Sequence, residues 1–338
     1  MRFFNLDCHI SVIADINDIL TKLGHTVETW SLSDHSWVFG KNKKSVAHIN
    51  QDTWRGFDKN IIDAFNKEYG HLLSSFNGFI CTYPPIFSMI YEKYEKPIYL
   101  QIPIRYEYPF TTNKAKWQHF NDYIIKQHKN GTLKLLANSI YDANYTKAFT
   151  GIEPILVRNI CQYTGYQGSM LTNEILCHSR VRIPTNIKLT YTQDMGRYQW
   201  SEIEKFKAVV FIPYNCSQMS FYEYYSSGIP ILCPSLKFLN KLRREHPNQV
   251  MSELSWNKVI GHSPGSIIPY NHTYDPNDYI NNDAMDHWSQ YSDYYDMDGI
   301  FYFDDWKDLE TVLKDSYYID RSSYKEGIIS QWEELLKT

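Results

Sequence analysis

The sequence predicts an α/β protein built on doubly wound parallel sheets, and three observations carry that expectation. Residues 208–235, AVVFIPYNCSQMSFYEYYSSGIPILCPS, read as strand, polar loop, short helix, Gly-x-Pro turn and second strand. The continuous apolar runs in this segment are what parallel strands buried on both faces require. Residues 1–32 open the chain with another strand-helix-strand unit. Finally, 338 residues suffice for two α/β domains, each with its own core.

In the first half, residues 1–6 form an apolar strand. Val12, Ile13, Ile16, Ile19, Leu20 and Leu23 recur at helical spacing across residues 9–23, and Gly24 stops that helix before the alternating strand 25–32. Residues 78–81 and 97–104 read as buried strands, with helical stretches at 87–94 and 113–128. Strand 133–140 leads into helix 141–149, with Ser139 as N-cap and Asp142 as its reciprocal acid. A strand at 155–157 follows. Residues 162–171, with Gly165 and Gly168, have linker composition.

The second half predicts strands at 174–178, 187–191, 208–213, 231–233 and 299–303. Helices are expected at 200–206, 221–227, 236–246, 282–289 and 306–314. Residues 247–279 lack apolar periodicity and read as a long loop or an ordered insertion. A closing helix over 321–337 places Tyr324, Ile328, Ile329, Trp332, Leu335 and Leu336 on one face.

A formal charge of −4 shows no basic excess, which argues against nucleic acid as the main partner. There is no run of eighteen apolar residues and no signal-like amino terminus, so a soluble, cytoplasmic protein is expected, without a membrane span. Six cysteines without a C-x-x-C pair read as free thiols of a reducing compartment. The 28 Tyr, 17 Phe and 9 Trp fit recognition of sugar rings, whose C–H faces stack on aromatic planes; drift in an AT-rich genome is the alternative for most of the tyrosines. No G-x-G-x-x-G, G-x-x-x-x-G-K-[ST] or H-E-x-x-H occurs. A dinucleotide oxidoreductase, a P-loop ATPase and a zinc hydrolase are thus disfavoured.

Ligands of open α/β sheets sit at the carboxyl ends of strands and the amino ends of the following helices. In residues 208–235 that place is held by Tyr214, Asn215, Cys216, Ser217, Gln218, Met219 and Ser220, with Glu223 one helical turn further on. The stretch Glu223-Tyr224-Tyr225-Ser226-Ser227-Gly228-Ile229-Pro230 resembles the donor-binding segment of nucleotide-sugar glycosyltransferases of the two-Rossmann-domain (GT-B) type. Leu20-Thr21-Lys22-Leu23-Gly24-His25-Thr26-Val27 resembles their opening, and residues 135–160 the close of their first domain.

The resemblance implies two Rossmann-like domains facing across a cleft, at 1–161 and 162–320, with a terminal helix at 321–338 crossing back to the first. It also implies that Glu223 contacts the donor's ribose or sugar. Asn215 stands where many retaining members place an earlier glutamate, which favours an inverting reaction. Among GT-B proteins the chain further resembles those that large algal viruses encode, of the chlorovirus β-xylosyltransferase type. That implies UDP-xylose as donor, a fucose-containing acceptor and the host cytoplasm.

Inversion needs a base for the acceptor hydroxyl and positive charge or N–H dipoles for the departing diphosphate. His9, in the loop after the first strand, is the candidate base and stands where the resemblance places a catalytic histidine, with Asp7 or Asp15 to orient its ring. A helix-start role for His9, or an N-cap role for Asp7, is the plainer reading; Asp7 is also the rival base. Arg158 and the amides of residues 217–220 are candidates for the diphosphate, with Arg180, Arg182 and Arg197 as alternatives. Thr190 and Tyr191 end a strand and are candidates to flank the nucleobase, unless they simply pack there. Asp296-Met297-Asp298 is a lone D-x-D and reads as a solvated acidic loop, so no metal and no other cofactor is expected. The partners expected are a nucleoside diphosphate sugar, UDP-linked by preference, and a glycan or glycoprotein acceptor. Transfer from GDP-fucose or another nucleotide sugar, 2-epimerisation of a nucleotide sugar, and noncatalytic carbohydrate binding are the competing functions.

Overall fold

The computed structural model describes residues 1–50 and 52–337. The first domain runs β1 (Arg2–Asp7), α1 (Ile10–Lys22), β2 (Thr26–Ser31), α2 (Lys59–Leu73), β3 (Gly78–Cys81), β4 (Ile98–Ile102), α3 (Lys114–Lys129), β5 (Leu133–Ala137), α4 (Ile140–Thr150) and β6 (Ile155–Leu156). Its strands pair in parallel in the order β2-β1-β3-β4-β5-β6.

The second domain runs β7 (Ile175–His178), β8 (Leu189–Tyr191), α5 (Trp200–Ile203), β9 (Ala208–Phe211), α6 (Met219–Ser227), β10 (Ile231–Pro234), α7 (Leu236–Glu245), α8 (Trp256–Val259), α9 (Asn282–Ser289), β11 (Phe301–Phe303) and α10 (Asp308–Asp315). Its parallel order is β11-β10-β9-β7-β8. A final helix, α11 (Ser322–Lys337), follows.

The strands are apolar because both faces of each sheet are covered. In the first sheet Phe3, Ile80, Tyr99 and Leu136 point to one side and pack on Ile13 and Ile16 of α1. Phe4, Phe79, Leu100 and Leu135 point to the other, against Phe65 of α2, Phe120 of α3 and Tyr145 of α4. Ile328, Trp332 and Leu335 of α11 join α1 on the first of these faces, and Trp332 is 1% exposed. The terminal helix therefore completes the core of the first domain, and the molecule has the GT-B arrangement of two Rossmann-like domains with a returning helix. In the second sheet, Val209, Phe211, Ile231 and Cys233 pack on α6, while Val210, Leu232 and Phe303 face α7.

Two stretches differ from expectation. Helix α2 was not foreseen between the second and third strands; it is capped by Asp58, which accepts from the Ile61 amide at 3.0 Å. The helical stretch expected at 87–94 is a 3-10 run, Pro85–Tyr94, that begins on a proline. Residues 247–279 are an ordered insertion. Asn257 Nδ2 donates to the carbonyl oxygens of Ser263 (3.0 Å) and Gly265 (2.8 Å), and Trp288 Nε1 closes onto Tyr274 O at 2.7 Å. No helix among the described residues is long and apolar enough to cross a membrane.

Gly228 ends α6 with φ of 80°, and its carbonyl oxygen accepts from the Ile319 amide at 3.0 Å as the chain heads toward α11. A Cβ there would lie 2.5 Å from both Ile319 O and the Tyr318 ring. Gly228→Ala is expected to destabilise the fold by more than about 1 kcal/mol, combining left-handed strain with that collision; equilibrium denaturation measures it, and an unchanged midpoint would contradict the packing described.

Candidate active site

Each sheet reverses its strand order once, at β1/β3 in the first domain and β7/β9 in the second. The loops leaving the carboxyl ends at these points diverge and open a crevice. In this protein the crevices meet. His9 after β1, Tyr83 after β3, Ile104 after β4 and Asn138 after β5 face Tyr214, Asn215, Ser217, Gln218 and Met219 after β9.

His9 lies at the junction of two cavities. One, of about 200 Å³, is lined by His9, Tyr83, Ile104 and Asn138 from the first domain and by Tyr214, Asn215, Ser217, Gln218, Met219, Glu253 and Trp256 from the second. The other, of about 440 Å³, lies between Ser33, His35 and Trp37 on one side and Arg197, Tyr198, Trp200 and Glu223 on the other. A more voluminous cavity, about 600 Å³, is elsewhere, between α2 and α3 over Phe57, Ile62 and Ile90; no residue of the strand-end loops above lines it, so its size does not make it the site.

Solvent reaches the His9 imidazole, yet the protein packed around the crevice holds its pKa below the ordinary histidine value. Neither candidate carboxylate touches the ring. Asp7 is fully buried: one oxygen accepts from the His9 backbone amide (2.7 Å) and Ser31 Oγ (3.1 Å), and the other has no partner. It shapes the loop and, lacking exposed surface, is not placed to meet an acceptor. Asp15 accepts from the amides of Ile160 (3.0 Å) and Cys161 (2.6 Å), fastening α1 to the crossover between domains. Burial pushes both carboxyls up to about 7.

Across the crevice, the Gln218 side chain folds back so that Oε1 accepts from the amides of Tyr214 (3.0 Å) and Asn215 (3.4 Å) and from the Tyr294 hydroxyl (3.2 Å). That leaves the amino end of α6 uncapped by a side chain, and the amides of Met219 and Ser220 donate to nothing among the described residues. Free amides at a helix start are an anion site in waiting. Ser217 is met from the first domain by Asn138 Nδ2 at 3.4 Å. Glu223 opens onto the larger cavity, accepts from the Tyr163 hydroxyl at 2.7 Å, and is raised by burial to about 7.

Three expectations are corrected. The Arg158 guanidinium is paired with Asp296 and lines neither cavity, so it joins the domains instead of standing free for a diphosphate. That pair also engages the first acid of the D-x-D; Asp298 offers its carbonyl oxygen to Tyr225 Oη (3.1 Å) and Arg321 (3.0 Å). Thr190 and Tyr191 lie on the edge strand β8 and line neither cavity, because Tyr191 is buried beneath Arg182 (4.2 Å) with its hydroxyl accepting from the Ile183 amide at 2.8 Å. The cavity wall there is the next loop, with Arg197 over Trp37 at 4.2 Å.

His178 was missed. It ends β7, lies flat on Phe211 (4.7 Å), and sets Nε2 3.4 Å from both Gln218 Nε2 and Ser220 Oγ, while Nδ1 is 3.2 Å from Tyr224 Oη. With Gln218 Oε1 already accepting, its amide must donate to Nε2, which places the imidazole proton on Nδ1. Burial, with Arg180 nearby, lowers its pKa to about 4 and keeps it neutral. Its position at the carboxyl end of a predicted strand was the available signal.

No protein-family model matches the chain, and no curated protein matches it. Solved structures similar to it include the glycosyltransferase SnogD from Streptomyces nogalater, at 11% identity and TM-score 0.42 over 69% of this chain and 80% of that one. The spinosyn rhamnosyltransferase SpnG matches at 10% and 0.42 over 93% and 92%, and the spinosyn forosaminyltransferase SpnP at 8% and 0.41 over 98% and 99%. Likeness this distant carries nothing about activity or substrate.

Asp7, Asp15 and Asp293 rise from 3.8 to about 7 through burial, and Glu107 and Glu223 from 4.5 to about 7. A carboxyl whose pKa is higher folded than unfolded contributes stability that is full below about pH 4 and is lost as pH rises through 7. The melting temperature is therefore expected to fall between pH 5 and pH 8, and Asp7→Asn to flatten that fall. A melting temperature that climbs across this range would contradict the burial of these groups.

Proposed function

We propose that the protein transfers a sugar from a nucleoside diphosphate sugar to a hydroxyl of a glycan acceptor, with inversion at the anomeric carbon. The observation that carries this reading is that His9 and the uncapped start of α6, supplied by different domains, line one cavity. A base and a set of anion-binding amides then share the space in which a sugar has to pass from phosphate to acceptor.

The larger cavity is of nucleotide-binding size, with aromatic walls at Trp37, Tyr198 and Trp200 for a base and Glu223 for ribose hydroxyls. The smaller suits a single sugar ring. With the diphosphate over the Met219 and Ser220 amides, departing charge meets oriented dipoles. His9, held below its ordinary pKa, is neutral at pH 7 and able to take the acceptor's proton. The amide cradle supports a reaction that does not need a metal, and the lack of an acid at position 215 supports inversion over retention. UDP-xylose is our preferred donor and a fucose-containing glycan our preferred acceptor, on the resemblance in the sequence. Tyr83, Tyr214 and Trp256 around the small cavity would crowd the extra hydroxymethyl group of a hexose.

His9→Ala is expected to lower kcat by roughly 10²–10⁴-fold while leaving donor affinity nearly unchanged, read by transfer assay and calorimetry. Retention of the donor's anomeric configuration in the product, seen by NMR, would overturn the inverting mechanism. Glu223→Gln should weaken nucleotide binding by about 1–3 kcal/mol, since an amide accepts at only one atom; unchanged affinity would make Glu223 a structural residue. Activity should survive EDTA, and loss restored by Mn²⁺ would return attention to Asp296 and Asp298.

A further inference from the structure

Arg105 lies just beyond β4 and is 1% exposed, yet among the described residues no carboxylate comes within ion-pair distance of it. Nη2 donates to Glu253 O (2.7 Å) and to Leu254 O, and Nη1 donates to Asn215 Oδ1 (3.3 Å); Nε has no partner. The Tyr141 ring lies 4.9 Å from the guanidinium carbon, and its hydroxyl also donates to Leu254 O, at 3.0 Å. Asp142 is buried nearby but bonds Ser139 instead. The three oxygens that accept at hydrogen-bond distance from its terminal nitrogens, Asn215 Oδ1, Glu253 O and Leu254 O, are neutral and belong to the second domain.

A guanidinium is always charged, and burying one without a counter-ion is costly. Arg158 and Arg243, the other arginines with little side-chain exposure that form ion pairs, are matched by Asp296 and Asp286. Arg105 differs in what it holds. Asn215 Oδ1 takes the Arg105 bond on one side and the Cys216 amide (2.8 Å) on the other, so the turn that leads into α6 is pinned from across the domain boundary. Asn215 lines the small cavity, as do Pro103 and Ile104, the residues directly before Arg105. The fixed charge consequently stands one residue layer behind the wall of that cavity.

We propose that Arg105 is a positioning residue for the donor's diphosphate. It fixes the Asn215–Cys216 turn, and through it the free amides at the start of α6, and it sets its positive charge behind that loop. The inference rests on the nucleotide-sugar reading above and adds a residue of the acceptor-side domain to the donor's phosphate site.

The test compares phosphate with nucleoside binding. Calorimetric affinities for UDP, inorganic pyrophosphate and uridine are measured on the full chain and on Arg105→Lys, Asn215→Ala and the double variant, with circular dichroism confirming the fold. UDP and pyrophosphate affinities should drop by about tenfold or more in each single variant and uridine by less than about twofold. The double variant should lose little beyond either single one, because both cut the same contact. If Arg105→Lys does not fold, Asn215→Ala alone decides, since it severs the contact from the loop side. Equal losses for UDP and uridine, no loss for UDP and pyrophosphate, or additive losses in the double variant would overturn the assignment while leaving the sugar-transfer reading in place. A native chain that binds neither UDP nor pyrophosphate would overturn both.

Discussion

The hydroxyl of Tyr222, on α6, donates to the carbonyl oxygen of Asn138 at the end of β5 (2.9 Å), and both groups are buried. With that bond the start of α6 is registered against the strand ends of the other domain. Asn277 Nδ2 reaches Tyr145 Oη at 2.9 Å, so the suture continues beyond α6. Such contacts are individually modest, but each leaves a dry, unpartnered group when broken. The spacing of the crevice is held by that penalty together with the ring packing around it.

The insertion within the second domain makes the same point from the other side. Trp288 of α9 packs on Tyr141 (5.1 Å), Tyr270 on Phe149 (5.3 Å) and Trp256 on Tyr108 (4.7 Å), all against first-domain rings. A segment that belongs to one domain by connectivity thus serves as the brace between two. It also contributes Glu253 and Trp256 to the cavity wall, so brace and site are one piece.

Much of this was legible in the sequence because strands and helices announce themselves by period. The run Ala208–Phe211, the stop at Gly228 and the apolar stripe ending at Trp332 and Leu335 each state a local requirement. What did not show was anything decided between distant residues. Arg158 has the same chemistry whether it meets a phosphate or Asp296, and only the fold brings Asp296 to it. Tyr191 at a strand end fitted either a ligand contact or plain packing, and Arg182 and the Ile183 amide claim it for packing. Helix α2 was lost because its buried side is broken by Asn66, whose amide is satisfied by Ile90 O (3.0 Å) and the Tyr94 hydroxyl (2.6 Å) in a neighbouring segment.

The return of α11 to the first domain has a consequence for synthesis. Phe3, Ile80 and Tyr99 are made early, but the helix that covers their face of the sheet is translated only after the whole second domain. With α1 alone the first domain covers only part of that face as it leaves the ribosome, and its core is finished only after the second domain has been made. Until α11 docks, an apolar patch stays open to water and to other nascent chains. The helix that closes the fold therefore also sets how long the growing chain needs shelter from aggregation.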